Sequence, residues 1–168
     1  VSQRAVASAR AARYRASSSR GRSLDPAWFD RDGDVWVPAP TVLRSVRFRC
    51  GNLLSPDCFA PGERFDVVVL DPPAFIKRRR DIPKGQAAYR QLNQLAMQLL
   101  PRDGFLVSCS CSHHLAQDEL IGTVQQAARH LNRFAQVVEV GGHAPDHPIH
   151  PAIPETRYLK ALFCRVVN

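Results

Sequence analysis

The stretch Phe65-Asp66-Val67-Val68-Val69-Leu70 constrains this chain more than any other, because it is a nearly unbroken apolar run that stops at Asp71-Pro72-Pro73. A strand apolar on successive residues is one covered on both faces, as in parallel sheets. The two prolines have no N–H to give a ladder, so the strand ends there. Residues 84–100 then take helical spacing, with Ala88, Leu92, Leu95, Ala96 and Leu99 on one side, until Pro101 and an Arg102-Asp103-Gly104 turn. Phe105–Cys109 reads as a second buried strand. Leu115–Leu131 reads as a second helix, with Leu120, Ile121, Val124, Ala128 and Leu131 on one stripe. Phe134–Val140 and Tyr158–Val167 complete the strands, and Val46–Cys50, alternating apolar and basic, reads as a half-exposed strand ahead of them all. Strands alternating with helices predict an α/β sheet with right-handed crossovers. In open sheets of that kind ligands sit beyond the carboxyl ends of the strands.

The segment before this pattern is different. Residues 1–24 hold six arginines and no acid, and are rich in Ala and Ser. Little there can build an apolar face, so disorder is expected. Residues 25–45 carry both tryptophans, but Pro26, Pro38 and Pro40 interrupt any long element. The expected division is thus a basic, irregular segment over 1–45 and an α/β unit over 46–168. The whole chain has a formal net charge of +8, which suits a polyanion such as nucleic acid. No apolar run reaches the roughly 18 residues of a membrane span, and no apolar leader opens the chain. Five cysteines at irregular spacing suggest no disulfide framework, and a reducing cytoplasm is the expected setting.

Two motifs fall at strand ends. In Asp71-Pro72-Pro73-Ala74-Phe75, a carboxylate is held at the site rim and the prolines fix the chain's direction, so carboxylate and carbonyls can meet a ligand's amino edge. A plain strand-ending turn is the structural alternative, since Asp-Pro is common in turns. In Phe105–His114 (FLVSCSCSHH), Cys109 and Cys111 share a face if the strand stays extended. A thiol at a strand end beside His113 and His114 suits a nucleophile. It also suits a small buried hydrophobe. A third possibility is a metal site, with His143, Asp146, His147 and His150 gathered in one later loop.

The segments FDVVVLDPPAFIKRRR, AYRQLNQLAMQLL, GFLVSCSCSHHL and APDHPIHPAIPETRYLKALFCRV, in this order, resemble the catalytic portion of bacterial large-subunit ribosomal RNA cytosine-5 methyltransferases. The resemblance runs from about Val46 to Val166. It implies a Rossmann-like class I methyltransferase sheet, S-adenosylmethionine as methyl donor, and ribosomal RNA as substrate and partner. It implies that Cys111 attacks C6 of the target cytosine, which must leave its stack to reach the pocket. It implies that Asp71 and Pro72 grip the base edge and border the cofactor, and that Asn52 stands near the adenine. Ala74 and Phe75 stand where two-cysteine relatives carry a second thiol, which fits the single-cysteine branch. Pro73, Phe75, Lys77, Arg78, Arg79 and Arg80 become candidates for RNA contact, the four cations as a phosphate clamp. Tyr89, Asn93 and Tyr158-Leu159-Lys160 match family positions with structural or supporting roles, and Asp146 and His147 could order the thiol or base.

The same resemblance implies a Gly-rich turn and a ribose-binding acid upstream, yet residues 1–45 contain only Gly21 and Gly33. Whether the chain is an active enzyme is therefore open. It is expected to be a fragment, with an inactive RNA-binding remnant as the alternative to an enzyme. In the family's strand order, three-two-one-four-five-seven-six, Phe65–Leu70 is then an exposed edge that invites self-association. A strand within residues 34–45 is expected to patch that gap.

Overall fold

The computed structural model describes residues 3–15, 24–53, 55, 58–145 and 147–168, which divide into two compact units, Val1–Ser55 and Pro56–Asn168. The elements of the first are helix α1 (Gln3–Ala11), strands β1 (Tyr14–Arg15), β2 (Phe29–Asp32) and β3 (Val35–Pro38), and helix α2 (Pro40–Ser45). Those of the second are β4 (Val67–Leu70), α3 (Ile82–Gln98), β5 (Gly104–Ser110), α4 (Gln117–His130), β6 (Phe134–Gly141) and β7 (Lys160–Val167).

The first unit carries regular elements where an irregular segment was expected. Strand β3 pairs antiparallel with both β1 and β2. Gly33, at φ +60°, makes the β2–β3 turn, a backbone state that costs glycine nothing. Trp36 is buried, with the Arg31 guanidinium 5.6 Å from its ring centroid. Two expectations fail here. Val35–Pro38 does not patch the larger sheet but is the centre of this small one. Val46–Cys50 is not a strand: Val46 and Phe48 are exposed, and the Phe48 carbonyl accepts from Arg10 Nη2 (3.0 Å) instead of from a neighbouring strand. Alternation gives a segment two faces, but a strand exists only where another strand supplies its hydrogen bonds.

In the second unit β4 runs parallel to β5, β5 antiparallel to β7, and β7 antiparallel to β6, giving the order β4-β5-β7-β6. This is the latter part of the strand order that the resemblance implies. Its core holds Leu70, Leu106, Leu162, Cys164 and Val166 from the strands with Ala96, Met97, Leu120, Val124 and Ala128 from α3 and α4. Each such leucine stabilises the fold by about 1.5–3 kcal/mol.

The run that reads as buried on both faces is buried on one. Val67 and Val69 are 54% and 63% exposed, and Phe105, the register partner of Val67, is 42% exposed. Strand β4 is an edge, as expected, and both helices pack on the opposite face of the sheet, so a residue-by-residue apolar run does not guarantee two covers. The buried side of α3 differs too. It presents Gly85, Tyr89, Asn93, Ala96 and Met97 rather than the purely aliphatic stripe: the Tyr89 phenol meets Ser110 Oγ at the end of β5, and Asn93 Nδ2 donates back to the Tyr89 carbonyl within the helix.

Gly85 lets the first turn of α3 lie on Ile76, which is 2% exposed; a Cβ there would run into Ile76 Cγ1. Gly85→Ala is therefore expected to destabilise the protein by about 1–3 kcal/mol, although alanine favours a helix interior by about 1 kcal/mol. A urea unfolding midpoint equal to or above that of the unaltered chain would contradict this.

Candidate active site at the strand ends

Parallel pairing sets Leu70 beside Ser108, so Asp71 and Pro72 leave their strand alongside Cys109 and Ser110. Both candidate motifs thereby meet at one sheet edge. Strand β5 ends at Ser110, which leaves Cys111 in the loop beyond it rather than on one continuous strand face with Cys109. The Cys111 thiol points to the Pro72 carbonyl (Sγ–O 3.9 Å). Proline at 72 contributes that carbonyl and no competing donor. Asp71 is exposed beside them.

Burial, and then the Asp71 carboxylate, push the Cys109 thiol up from its ordinary value, which favours its neutral form. Burial alone pushes Cys164 up to about 11, as suits a thiol in the core.

The loops that carry the motifs are tied by side chains. The backbone N–H of Ile76 donates to Ser112 Oγ (3.2 Å), and Phe75 packs on the Tyr89 ring (centroids 4.9 Å apart). Phe75 is thus half-buried against the core, while Pro73 is exposed. Lys77, Arg78, Arg79 and Arg80 are exposed in the turn that enters α3, whose first turn holds no acid. The positive end of that helix and the four cations both favour an anion, offset in part by the Asp81 carboxylate at the N-cap. Asn52 belongs to the first unit, where it is exposed.

Beside the site is a polar cavity of about 470 Å³ whose wall includes His113, Gln117, His143, Arg157 and Lys160. His143 Nε2 accepts from the Leu159 N–H (3.2 Å), and its ring meets Tyr158 edge-on. Among the described residues no three His, Cys, Asp or Glu side chains are grouped to hold a metal ion, so Cys109, Cys111 and the histidines form no such centre there. Asp146 lies outside the described residues. Among the described residues no helix is long and apolar enough to cross a membrane.

Sequence alone pointed to Asp71, Pro72 and Cys111 but gave Ser110, Ser112 and Lys160 little weight. Their signal was faint: two serines flanking a candidate cysteine, and a lysine opening a largely apolar strand.

Comparison with known proteins bears on this arrangement. Over 106 residues, 63% of this chain, it is 38% identical to ribosomal RNA large subunit methyltransferase I of Erwinia tasmaniensis. It is 41% identical over 106 residues to a Methanocaldococcus jannaschii protein named as a ribosomal RNA large subunit methyltransferase. The chain spans about a quarter (27%) of the length of these curated relatives. No family model matches it. Among solved structures, SMU.776, described as a methyltransferase complexed with SAH, superposes with a TM-score of 0.50 at 13% identity over 61% of this chain and 26% of that one, a likeness of fold. The second unit accordingly has a Rossmann-like methyltransferase architecture, built here on a mixed four-stranded sheet.

Proposed function

We propose that the chain carries the thiol-bearing, RNA-facing part of an S-adenosylmethionine-dependent methyltransferase that modifies C5 of a cytosine in ribosomal RNA. The observation that carries this reading is the meeting of Cys111 with the Asp71-Pro72 strand end, 3.9 Å from sulfur to the Pro72 carbonyl. The identity to ribosomal RNA large subunit methyltransferases supports the substrate class, and the SAH named with the fold neighbour supports the cofactor.

Cytosine C5 is a poor nucleophile until a group adds at C6. The Cys111 thiolate forms an S–C6 bond, and the C5=C6 electron pair shifts onto C5. S-adenosylmethionine, when bound, supplies a methyl group as the electrophile that C5 takes. A base then removes the C5 proton, the double bond re-forms, and sulfur leaves as thiolate. Of the two neighbouring cysteines Cys111 takes this role, because burial and Asp71 favour the neutral form of Cys109. The exposed Asp71 carboxylate accepts from the exocyclic amino group of the base, and Pro72 and Pro73 border it. Toward the cofactor these residues offer one rim, a carboxylate and a carbonyl beside the open edge of β4.

Addition at C6 also makes C5 accept a solvent proton, so exchange of the C5 hydrogen reports the thiol chemistry without any methyl transfer. The test is tritium release from ribosomal RNA labelled at cytosine C5, with the full chain and with S-adenosylmethionine present or absent. Release above the protein-free rate is expected in both. No release in either would overturn the catalytic reading, and RNA binding that survived would then mark an inactive remnant.

Lys77, Arg78, Arg79 and Arg80 are read as phosphate contacts that position the RNA. Changing all four to alanine is expected to weaken RNA binding for every sequence alike. The slope of log Kd against log salt should fall by roughly 0.7 for each phosphate of single-stranded RNA that is no longer neutralised. An unchanged slope in a filter-binding titration would remove these residues from the interface.

A further inference from the structure

The two neighbours of Cys111 are held by a buried polar network that packing alone does not require. Ser110 and Ser112 are both 0% exposed. Their hydroxyls meet at a single atom, the Tyr89 phenol oxygen, each at 2.9 Å. Ser110 Oγ also accepts from the Ser112 N–H (3.2 Å), and Ser112 Oγ from the Ile76 N–H (3.2 Å). Lys160, 8% exposed, then donates from Nζ to the carbonyls of Ser112 and Tyr158, both at 2.7 Å.

Lysine is rarely buried, because removing its charge from water is unfavourable and hydrogen bonds to carbonyls return only part of that loss. An aliphatic side chain would fill the first position of β7 at lower cost. What it could not supply is a donor fixing the carbonyl next to Cys111, or a positive charge close to the thiol.

We infer that Lys160 is a positioning residue for the Cys111 thiol: its ammonium pins the Ser112 carbonyl while Tyr89 pins the serines on either side, which sets a cation beside the thiol, the setting in which cysteines react as nucleophiles. This rests on the reading of Cys111 as the nucleophile. Burial pulls Lys160 down from its ordinary value, while Cys111 and Glu119 act in the other direction, which puts the ammonium and the Cys111 side chain within electrostatic reach of each other.

The experiment is alkylation of the full chain by iodoacetamide at neutral pH, which needs neither RNA nor cofactor. Peptide mass spectrometry follows each cysteine, with fragment ions separating Cys111 from Cys109 and exposed Cys50 as internal reference. Lys160→Gln keeps a donor but loses the charge, and is expected to slow Cys111 about tenfold relative to Cys50. Lys160→Arg keeps the charge and is expected to recover most of the rate. A purely structural lysine would leave Cys111 in the Gln variant equally or more reactive, because a loosened loop exposes the thiol; that result, or an Arg variant as slow as the Gln one, overturns the inference. Failure of tritium release by the unaltered chain would count against the proposed function and leave the alkylation result standing.

Discussion

Cys111→Ala is expected to lower tritium release from cytosine C5 in RNA by about three orders of magnitude or more, the scale on which removing a covalent nucleophile acts. Exchange at C5 needs the S–C6 bond, since only then does C5 carry the electron pair that takes a proton. Alanine leaves nothing to form that bond. Cys111→Ser is expected to be nearly as poor, because a hydroxyl ionises far less readily than a thiol. Cys109→Ala is expected to keep most of the activity, since that thiol is favoured in its neutral form by burial and by Asp71. RNA binding should be retained in all three variants, because the cations of residues 77–80 are untouched. Release by Cys111→Ala at the unaltered rate would move the chemistry away from this cysteine. Loss in Cys109→Ala alone would transfer the role to its neighbour.

The second large effect is on stability. Arg133 follows α4 through Asn132, whose φ of +53° turns the chain back. Its guanidinium reaches four carbonyls: Nη1 donates to Met97 (2.6 Å) and Leu100 (3.2 Å), and Nη2 to Pro101 (2.7 Å) and Val166 (3.3 Å). Three of these acceptors belong to the end of α3 and the turn that follows it, where a cation is favoured. The fourth is on β7, so one planar group ties a helix end to the sheet. Arg133→Ala is expected to cost about 2–4 kcal/mol, because it strips a charged donor from several partly buried acceptors at once. That corresponds to a fall in melting temperature of roughly 4–16 °C. Arg133→Lys is expected to restore less than half of the loss, since an ammonium is a point donor and cannot span the fork. A loss below about 0.5 kcal/mol, the level of an ordinary surface substitution, would show that the four hydrogen bonds contribute nothing net.

Much of this could be read from the residues. The Phe65–Leu70 run, the two helical patterns and the Phe105–Cys109 run each carry their own local signal, and each forms the expected element to within a few residues. Asp71-Pro72 ends a strand because proline cannot donate to a ladder, a fact of the residue and not of its surroundings. That both candidate motifs lie at strand ends followed from the same locality, whereas the choice of Cys111 over Cys109 came from the resemblance to the methyltransferase family.

Three matters belonged to tertiary structure. Val46–Cys50 has the alternation of a strand and forms none, because a strand depends on a neighbour that its own sequence cannot specify. Val67 and Val69 are as apolar as Val68, yet only the latter packs against the core, because the covering helices lie on one face of the sheet. Tyr89, Ser110, Ser112 and Lys160 are polar residues separated by up to 71 positions, which no periodicity groups. They meet around Cys111 because β5 pairs with β7 in a register that sets Ser110 opposite Lys160, and because α3 lays Tyr89 across the same strand end. Local residue patterns suffice to say which segments become helix and strand, and where a thiol and a carboxylate stand along the chain. The pairing register and the packing of one helix set what surrounds that thiol, because hydrogen bonds between distant residues exist only once the sheet has assembled.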